Sequence, residues 1–449
     1  MKYNFSQIFS GQSQRTSIVV KNILGAFFVK GCSIVITLIL IPVTIGYVSS
    51  ELYGVWLALS TIIMWASLFD LGFGHGVRNK IAECLAVGNS TKARKFISTG
   101  YVYFLAVFIP LSVIIYFLCP LIDWADLLNV SRAYEEELIT VMRIVIIFFA
   151  LTCIAKLQGT VLLALQKTAV SNMLDMLGLL LSLIIIVFLK YTTEGSLINL
   201  AYAMCAAPFA VYSLSSLWLY GVMRKDLCPN LRDVDTTLVK DVLGLGLKFF
   251  FINASLIVLF HTMNILIANV SGPESVTEYN VIYKYISIPL LVSSIITAPY
   301  WTAYTDAYAL KDYKWMKASF IRLRKISYIL FASIAFLLLI YPIVFKLWLG
   351  NLVTIHLSMM IVVSVYVAIM IYNQINANII NGIGRLKIHL ILAFVSTIGN
   401  IPLALYLGHY FGTLGVVASA GFFTLFPAVI LRIQLKKLIS GTASGIWCQ

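Results

Sequence analysis

The feature that most constrains this sequence is its recurring apolar runs. Each holds about 20 residues, enough at 1.5 Å per residue to cross roughly 30 Å of hydrocarbon, and the charges gather in the short breaks between them. A backbone in hydrocarbon has no water to bond. Each run must therefore satisfy its own N–H and C=O groups as a helix, or pair into a closed barrel. Barrel strands are segments of about 10 residues in apolar/polar alternation, and these runs do not alternate. Of the 449 residues 61% are hydrophobic and 11% charged, with a mean hydropathy of +0.95, whereas a soluble domain carries about 25% charge. The fold class is an all-α, multi-pass membrane protein, and a soluble enzyme is excluded.

Charge clusters, Gly and Pro bound about 12 spans, near 22–46, 53–77, 96–119, 138–164, 168–189, 197–221, 241–270, 278–304, 326–349, 355–382, 388–407 and 413–431. Most of the 32 Lys and Arg, from Lys2 and Arg15 to Lys436 and Lys437, fall in connections on one side. Arg132, Lys190 and Lys346 fall on the other, where Asp123, Asp126, Glu135, Glu136, Glu137 and Glu194 gather. The positive-inside rule then places both termini in the cytoplasm. The formal charge of +14 reflects this sidedness, and no nucleic-acid partner is expected. Residues 1–21 are polar and no small-residue cleavage site follows a short apolar core, so the first span reads as a retained anchor.

The two halves echo each other. The stretch "LLALQKTAVSNML" from Leu162 aligns with "IINGIGRLKIHLIL" near Ile379, placing Lys167 opposite Arg385 and Pro208 opposite Pro427. "LAVGNSTKARK" from Leu85 resembles "YALKDYKWMKA" from Tyr308. This reads as a six-helix bundle over 1–223, a cytoplasmic linker over 224–240 and a second six-helix bundle over 241–449. Both halves start in the cytoplasm, so the repeat is parallel, about a pseudo-two-fold along the membrane normal, an arrangement found in transporters.

An ionisable side chain at the bilayer centre costs at least about 2.5–3.5 kcal/mol, so those inside spans are candidate functional groups. They are Lys30, Arg143, Lys156, Lys248 and Lys284, with Asp70 and Asp175. Lys156 precedes the tight loop at Gln166 by about as much as Asp175 follows it, so the two reach matching depth on a hairpin and are expected to form a structural ion pair. Lys30 and Lys248 occupy equivalent positions in the first span of each half, about 12–13 Å beyond Lys21 and Lys240. A lysine stem can snorkel to the headgroups, but the coincidence favours lining a cavity. Asp70 lies across the first hairpin at nearly the depth of Lys30, so it is either a neutralising partner of that ammonium or a coupling or gating group. Arg143 and Lys284 lie near outer span ends, as interfacial anchors or substrate ligands. The planar Arg fork suits phosphate oxygens.

Tyr279, Tyr283, Tyr300, Tyr304 and Tyr308 form stripes along the eighth span, either an interfacial belt or a stacking surface for sugars, with Tyr283 and Tyr304 as the candidate contacts. His261 lies deep in a span and is the candidate for proton coupling. The seven Cys and five His show no metal spacing, and neither metal nor cofactor is expected. The longest polar connections are too short to house a catalytic domain.

The stretch from Leu52 to Lys95 carries Tyr53 and Gly54 at a helix start, "DLGFG" over Asp70–Gly74, then Arg78, Ala82, Ala86 and Gly88 before a basic loop. In these positions the chain resembles the Wzx-type O-antigen flippases, the polysaccharide transporters of the multidrug/oligosaccharidyl-lipid/polysaccharide exporter superfamily. The resemblance implies alternating access, with spans 1, 2, 7 and 8 lining a cavity. It implies an undecaprenyl-diphosphate-linked oligosaccharide as cargo, carried across the bacterial cytoplasmic (inner) membrane for polysaccharide, O-antigen or lipopolysaccharide synthesis. A proton or sodium gradient is the implied drive. Membrane lipids and the polysaccharide polymerase machinery are the implied neighbours.

Three readings follow. A lipid-linked oligosaccharide flippase fits cations in the membrane, since an anionic diphosphate needs them. An ion-coupled drug or metabolite antiporter of the same superfamily should carry acids in its cavity if it exports organic cations. A membrane-embedded sugar polymerase or ligase should present a long outer loop, which this sequence lacks.

Overall fold

The computed structural model describes residues 14–48, 52, 53, 55, 56, 59, 70–128, 131–348 and 355–448. Their regular structure is entirely helical: α1 (Gln14–Val48), α2 (Asp70–Ala86), α3 (Ser90–Leu118), α4 (Glu135–Ala164), α5 (Thr168–Thr192), α6 (Leu197–Trp218), α7 (Thr236–Ser271), α8 (Pro273–Ile286), α9 (Ile288–Ala309), α10 (Tyr313–Trp348), α11 (Leu357–Ile383), α12 (Lys387–Phe411) and α13 (Thr413–Ile439). Among the described residues ten helices are long and apolar enough to cross a membrane, or up to eleven if the bent pair α8–α9 is one span. The span expected at 53–77 lies largely outside the described residues.

Local chemistry sets the ends. Asn89 caps α3 by accepting from Lys92 N, and Ser196 caps α6 by accepting from Asn199 N. Gly384 closes α11 at φ 78°, a left-handed conformation in which a Cβ is disfavoured. The span expected over 278–304 is bent by 45° at Ser287. Pro289 accounts for this, because its ring clashes with the carbonyl four residues back and it lacks an N–H. Two expectations are corrected. Helix α2 runs on through Arg78 and Lys80 to Ala86, residues expected in a loop, and α7 starts at Thr236 rather than 241.

The chain packs as two compact units, residues 1–246 and 247–449, and the division falls inside α7. In the first unit α4 packs on α2, α3 and α6, while α5 packs on α1 and α6. The second unit follows the same order, with α11 packing on α9, α10 and α13, and α12 on α13. There α12 also meets α7 through Thr397 Oγ1, which donates to Ser255 O at 3.2 Å. Unlike a soluble core, much of the large apolar surface points outward, as with Ile329, Phe336, Leu339, Ile343 and Leu347 on α10. A soluble monomer does not present such a stripe, whereas lipid contact requires one.

Residues 224–235 are strapped onto the first unit. Ser98 and Thr99 of α3 accept from Asn230 N and Asp235 N, each at 3.0 Å, and Arg94 Nε lies 2.8 Å from Asp233 Oδ2. The Arg224 fork donates twice to Asp226, at 2.8 and 2.7 Å, and holds that carboxyl below its usual range. A hydrogen bond from Thr237 does the same for Asp235.

The hairpin between α4 and α5 is clamped from α1. Gln166 turns at φ 58°, and Asn22 donates to its carbonyl at 2.5 Å while accepting from Ala169 N at 3.1 Å. We expect Asn22→Ala to cost about 1–3 kcal/mol through the unsatisfied buried groups left behind. A thermal melt of purified protein checks this, and an unchanged melting temperature would show that the clamp carries no load.

Candidate functional site

Three helices of the first unit converge on one carboxylate. Lys156 of α4 and Asp175 of α5 stand on either side of the Gln166 turn, and Lys156 Nζ lies 3.6 Å from Asp175 Oδ1. Tyr212 of α6 donates its hydroxyl to the same oxygen, and Lys156 Nζ lies 5.8 Å from the Tyr212 ring centroid. Beside this group, Gln158 Nε2 donates to Ser215 Oγ at 2.7 Å, again joining α4 to α6. The carboxylate is thus held by an ammonium and a phenol, and hydrogen bonds to a charged acceptor are stronger than neutral ones. The pair is neutral in sum and ties α4, α5 and α6 together.

The remaining cations are placed differently. Lys30 on α1 and Lys284 on α8 are exposed, and Lys248 on α7 is half-buried. Arg143 is half-buried on α4, its guanidinium carbon 4.7 Å from the centroid of the Tyr116 ring on α3. Its Nε is buried without a hydrogen-bond partner, so the ring's π-face is the described stabiliser of that charge. Among the described residues, no carboxylate lies within ion-pair distance of Lys30, Arg143, Lys248 or Lys284. The side chains of Asp70 and His261, the expected coupling or gating groups, lie outside the described residues.

Of the two tyrosines expected at substrate, Tyr283 is half-buried and stacks on Tyr279, with ring centroids 5.8 Å apart. Tyr304 is fully buried; its hydroxyl donates to Met316 O at 3.0 Å, and its ring meets Trp315 edge-on at 5.4 Å. With its hydroxyl bonded and its ring enclosed, Tyr304 offers no face to a sugar. It joins α9 to α10, which corrects the expectation for this residue.

The second unit also contains a partly open cavity of about 450 Å³, within the range of small-molecule pockets. Helices α7, α9, α11, α12 and α13 contribute to its wall. One face of α11 lines it with Asn373, Gln374, Asn378 and Asn381, which recur at helical spacing. Asn378 Nδ2 donates to Thr297 Oγ1 at 2.7 Å, and Asn381 Oδ1 lies 3.0 Å from His389 Nδ1. Asn373 Oδ1 and Gln374 Oε1 are buried and accept no hydrogen bond. Reading the sequence for charge misses this group. Its signal is "NQINANIIN" from Asn373, a density of amides that an apolar span has no packing reason to carry.

No protein-family model matches the chain. A Salmonella typhi protein named "Putative O-antigen transporter" is 21% identical over 395 residues, covering 85% of this chain and 87% of its own. Among solved structures, a MATE P26A mutant superposes with a TM-score of 0.79 at 17% identity, over 96% of this chain and 97% of its own. The outward-facing form of a multidrug resistance MATE transporter of the MOP superfamily gives 0.78 at 16%, over 96% and 97%. A MOP superfamily transporter from Pyrococcus furiosus, described as having a binding pocket of reverse polarity that suggests a different function, gives 0.77 at 15%, over 96% and 98%. These similar proteins are named as transporters, and this chain shares the fold of the MATE transporters while resembling, over most of its length, a protein named for O-antigen transport.

Proposed function

We propose that the protein is a flippase that moves an undecaprenyl-diphosphate-linked oligosaccharide across the bacterial cytoplasmic membrane by alternating access, for polysaccharide or O-antigen synthesis. The observation that carries this reading is the set of cations on apolar helices, Lys30, Arg143, Lys248 and Lys284, with no described carboxylate beside them. A diphosphate cannot shed its hydration into hydrocarbon without charged partners. Ammonium and guanidinium groups along a hydrated path replace part of that hydration, Arg143 through its fork. The lipid tail remains in the bilayer beside the apolar outer faces. The Salmonella relative's name supports an O-antigen cargo. The basic connections and the repeated helix order support two six-helix bundles with cytoplasmic termini, and a proton or sodium gradient supplies the drive.

The fold shared with a multidrug transporter favours a second reading, an ion-coupled antiporter of organic cations. That activity needs an uncompensated acid; Asp175 is already held by Lys156 and Tyr212, so this reading would rest on Asp70, whose side chain lies outside the described residues.

The test is transbilayer movement of a lipid-diphosphate oligosaccharide in proteoliposomes, with and without an imposed proton or sodium gradient. Wild-type protein is expected to move the lipid, and Lys30→Ala and Lys248→Ala each to slow it about tenfold, the equivalent of ~1.4 kcal/mol. Absence of movement by folded, inserted wild-type protein would favour the antiporter. Movement indifferent to both lysines would remove the cations from the mechanism.

A further inference from the structure

We infer that the cavity of the second unit is a binding site for an uncharged sugar residue, a site separate in chemistry from the cations that meet a diphosphate. The inference rests on the flippase reading for its biological ligand, while its physical argument stands on the cavity alone.

The lining excludes charged ligands first. Among the described lining residues none carries a carboxylate, ammonium or guanidinium group. A cation seated there would lack a counter-charge and a phosphate would lack a cation, and either would meet a desolvation penalty as an unpaired ion. The volume of about 450 Å³ also exceeds what a single dehydrated ion requires.

What remains is a neutral, hydrogen-bonding ligand. Amides in a membrane helix often act as glue between helices, and two here do so, Asn378 toward Thr297 and Asn381 toward His389. Asn373 and Gln374 differ, because Asn373 Oδ1 and Gln374 Oε1 are buried acceptors with no donor. Each orphaned acceptor is a cost to the fold, and since both oxygens are shut off from solvent, a ligand that brings O–H or N–H donors removes that cost by turning the amides of Asn373 and Gln374 toward the cavity they line. Apolar and aromatic surface comes from Phe249 of α7, Trp301 of α9 and Phe423 of α13, with Tyr366 of α11 beside the amides. A sugar ring presents this combination, with hydroxyls around its rim and C–H groups on its faces. An amide suits a hydroxyl because it both donates and accepts.

The experiment uses full-length protein in nanodiscs, prepared without alkyl-glycoside detergents because these carry sugar headgroups. Tryptophan fluorescence is followed, since Trp301 lines the cavity, during titration with glucose, galactose, mannose, rhamnose and N-acetylglucosamine. Sodium chloride and inorganic pyrophosphate are titrated separately. At least one neutral sugar is expected to give a saturable response. Asn373→Leu and Gln374→Met, which keep volume but delete the amides, are expected to weaken it about tenfold, while Asp126→Asn in an exposed connection leaves it unchanged.

No saturable response to any of the five sugars, in protein that melts cooperatively, overturns the site. So does a response to sodium or pyrophosphate in their place, or a sugar response indifferent to both isosteric variants. Transbilayer movement without sugar binding would remove this site alone. Sugar binding without movement would remove the flippase reading and leave the site standing.

Discussion

Gly382→Leu is expected to abolish the recovery of folded protein. Helix α11 crosses α9 so closely that a Cβ on Gly382 would overlap the Trp301 carbonyl oxygen, with the carbonyl carbon at 3.1 Å and the Trp301 Cα at 3.3 Å. All three atoms are backbone, so no rotamer change relieves the overlap. Thr305 Oγ1 fixes the crossing by donating to Gly382 O at 2.7 Å. Overpacking a core typically costs about 1–3 kcal/mol. A clash with the backbone of a neighbouring helix exceeds that, against a total stability of only about 5–15 kcal/mol. The measurement is the yield of monodisperse protein after detergent extraction, with Gly244→Ala as the control. Gly244 has open space around it, and alanine there should favour the helix by about 0.8–1 kcal/mol. Normal yield from Gly382→Leu would mean that α9 and α11 do not approach this closely.

The second large effect is expected at the Lys156 and Asp175 pair. Asp175→Ala leaves an ammonium on an apolar helix and takes the acceptor from the Tyr212 hydroxyl. Lys156→Ala leaves a carboxylate supported by the phenol alone. Breaking a fully buried pair costs about 3–5 kcal/mol. These side chains are 51% and 47% exposed, so a coupling of about 0.5–1 kcal/mol is the appropriate scale. Each single substitution should lower the melting temperature and the inserted yield, and combining Lys156→Asp with Asp175→Lys should recover most of the loss. Additive losses with no recovery would show that the two groups act independently.

The sequence makes some of this architecture legible for specific reasons. Lys156 and Asp175 meet because an antiparallel hairpin brings equal distances from its turn to equal depth. The spans stand out because nothing else accounts for a chain that is 61% hydrophobic. The bend at Ser287 is legible in Pro289 in principle, yet a hydropathy reading runs straight through it. Tyr304 misleads because periodicity shows which residues share a helix face, not whether another helix covers that face. Here Trp315 and Met316 of α10 do so. The amide face of α11 goes unread because attention to costly residues means attention to charge, whereas an unpartnered amide becomes costly only once packing has removed its water. Neutral polar residues in a span announce a site only after their neighbours are known.

The amide face also bears on how a transporter of this fold changes its ligand. Asparagine and aspartate codons differ at one base, as do those of glutamine and glutamate. A single nucleotide change at Asn373 or Gln374 therefore sets a carboxylate into the same volume, with the same backbone and almost the same shape. The cavity would then favour cations over uncharged ligands without any helix moving. On this face of α11, the evolutionary distance between carrying a neutral molecule and carrying a cationic one is one mutation.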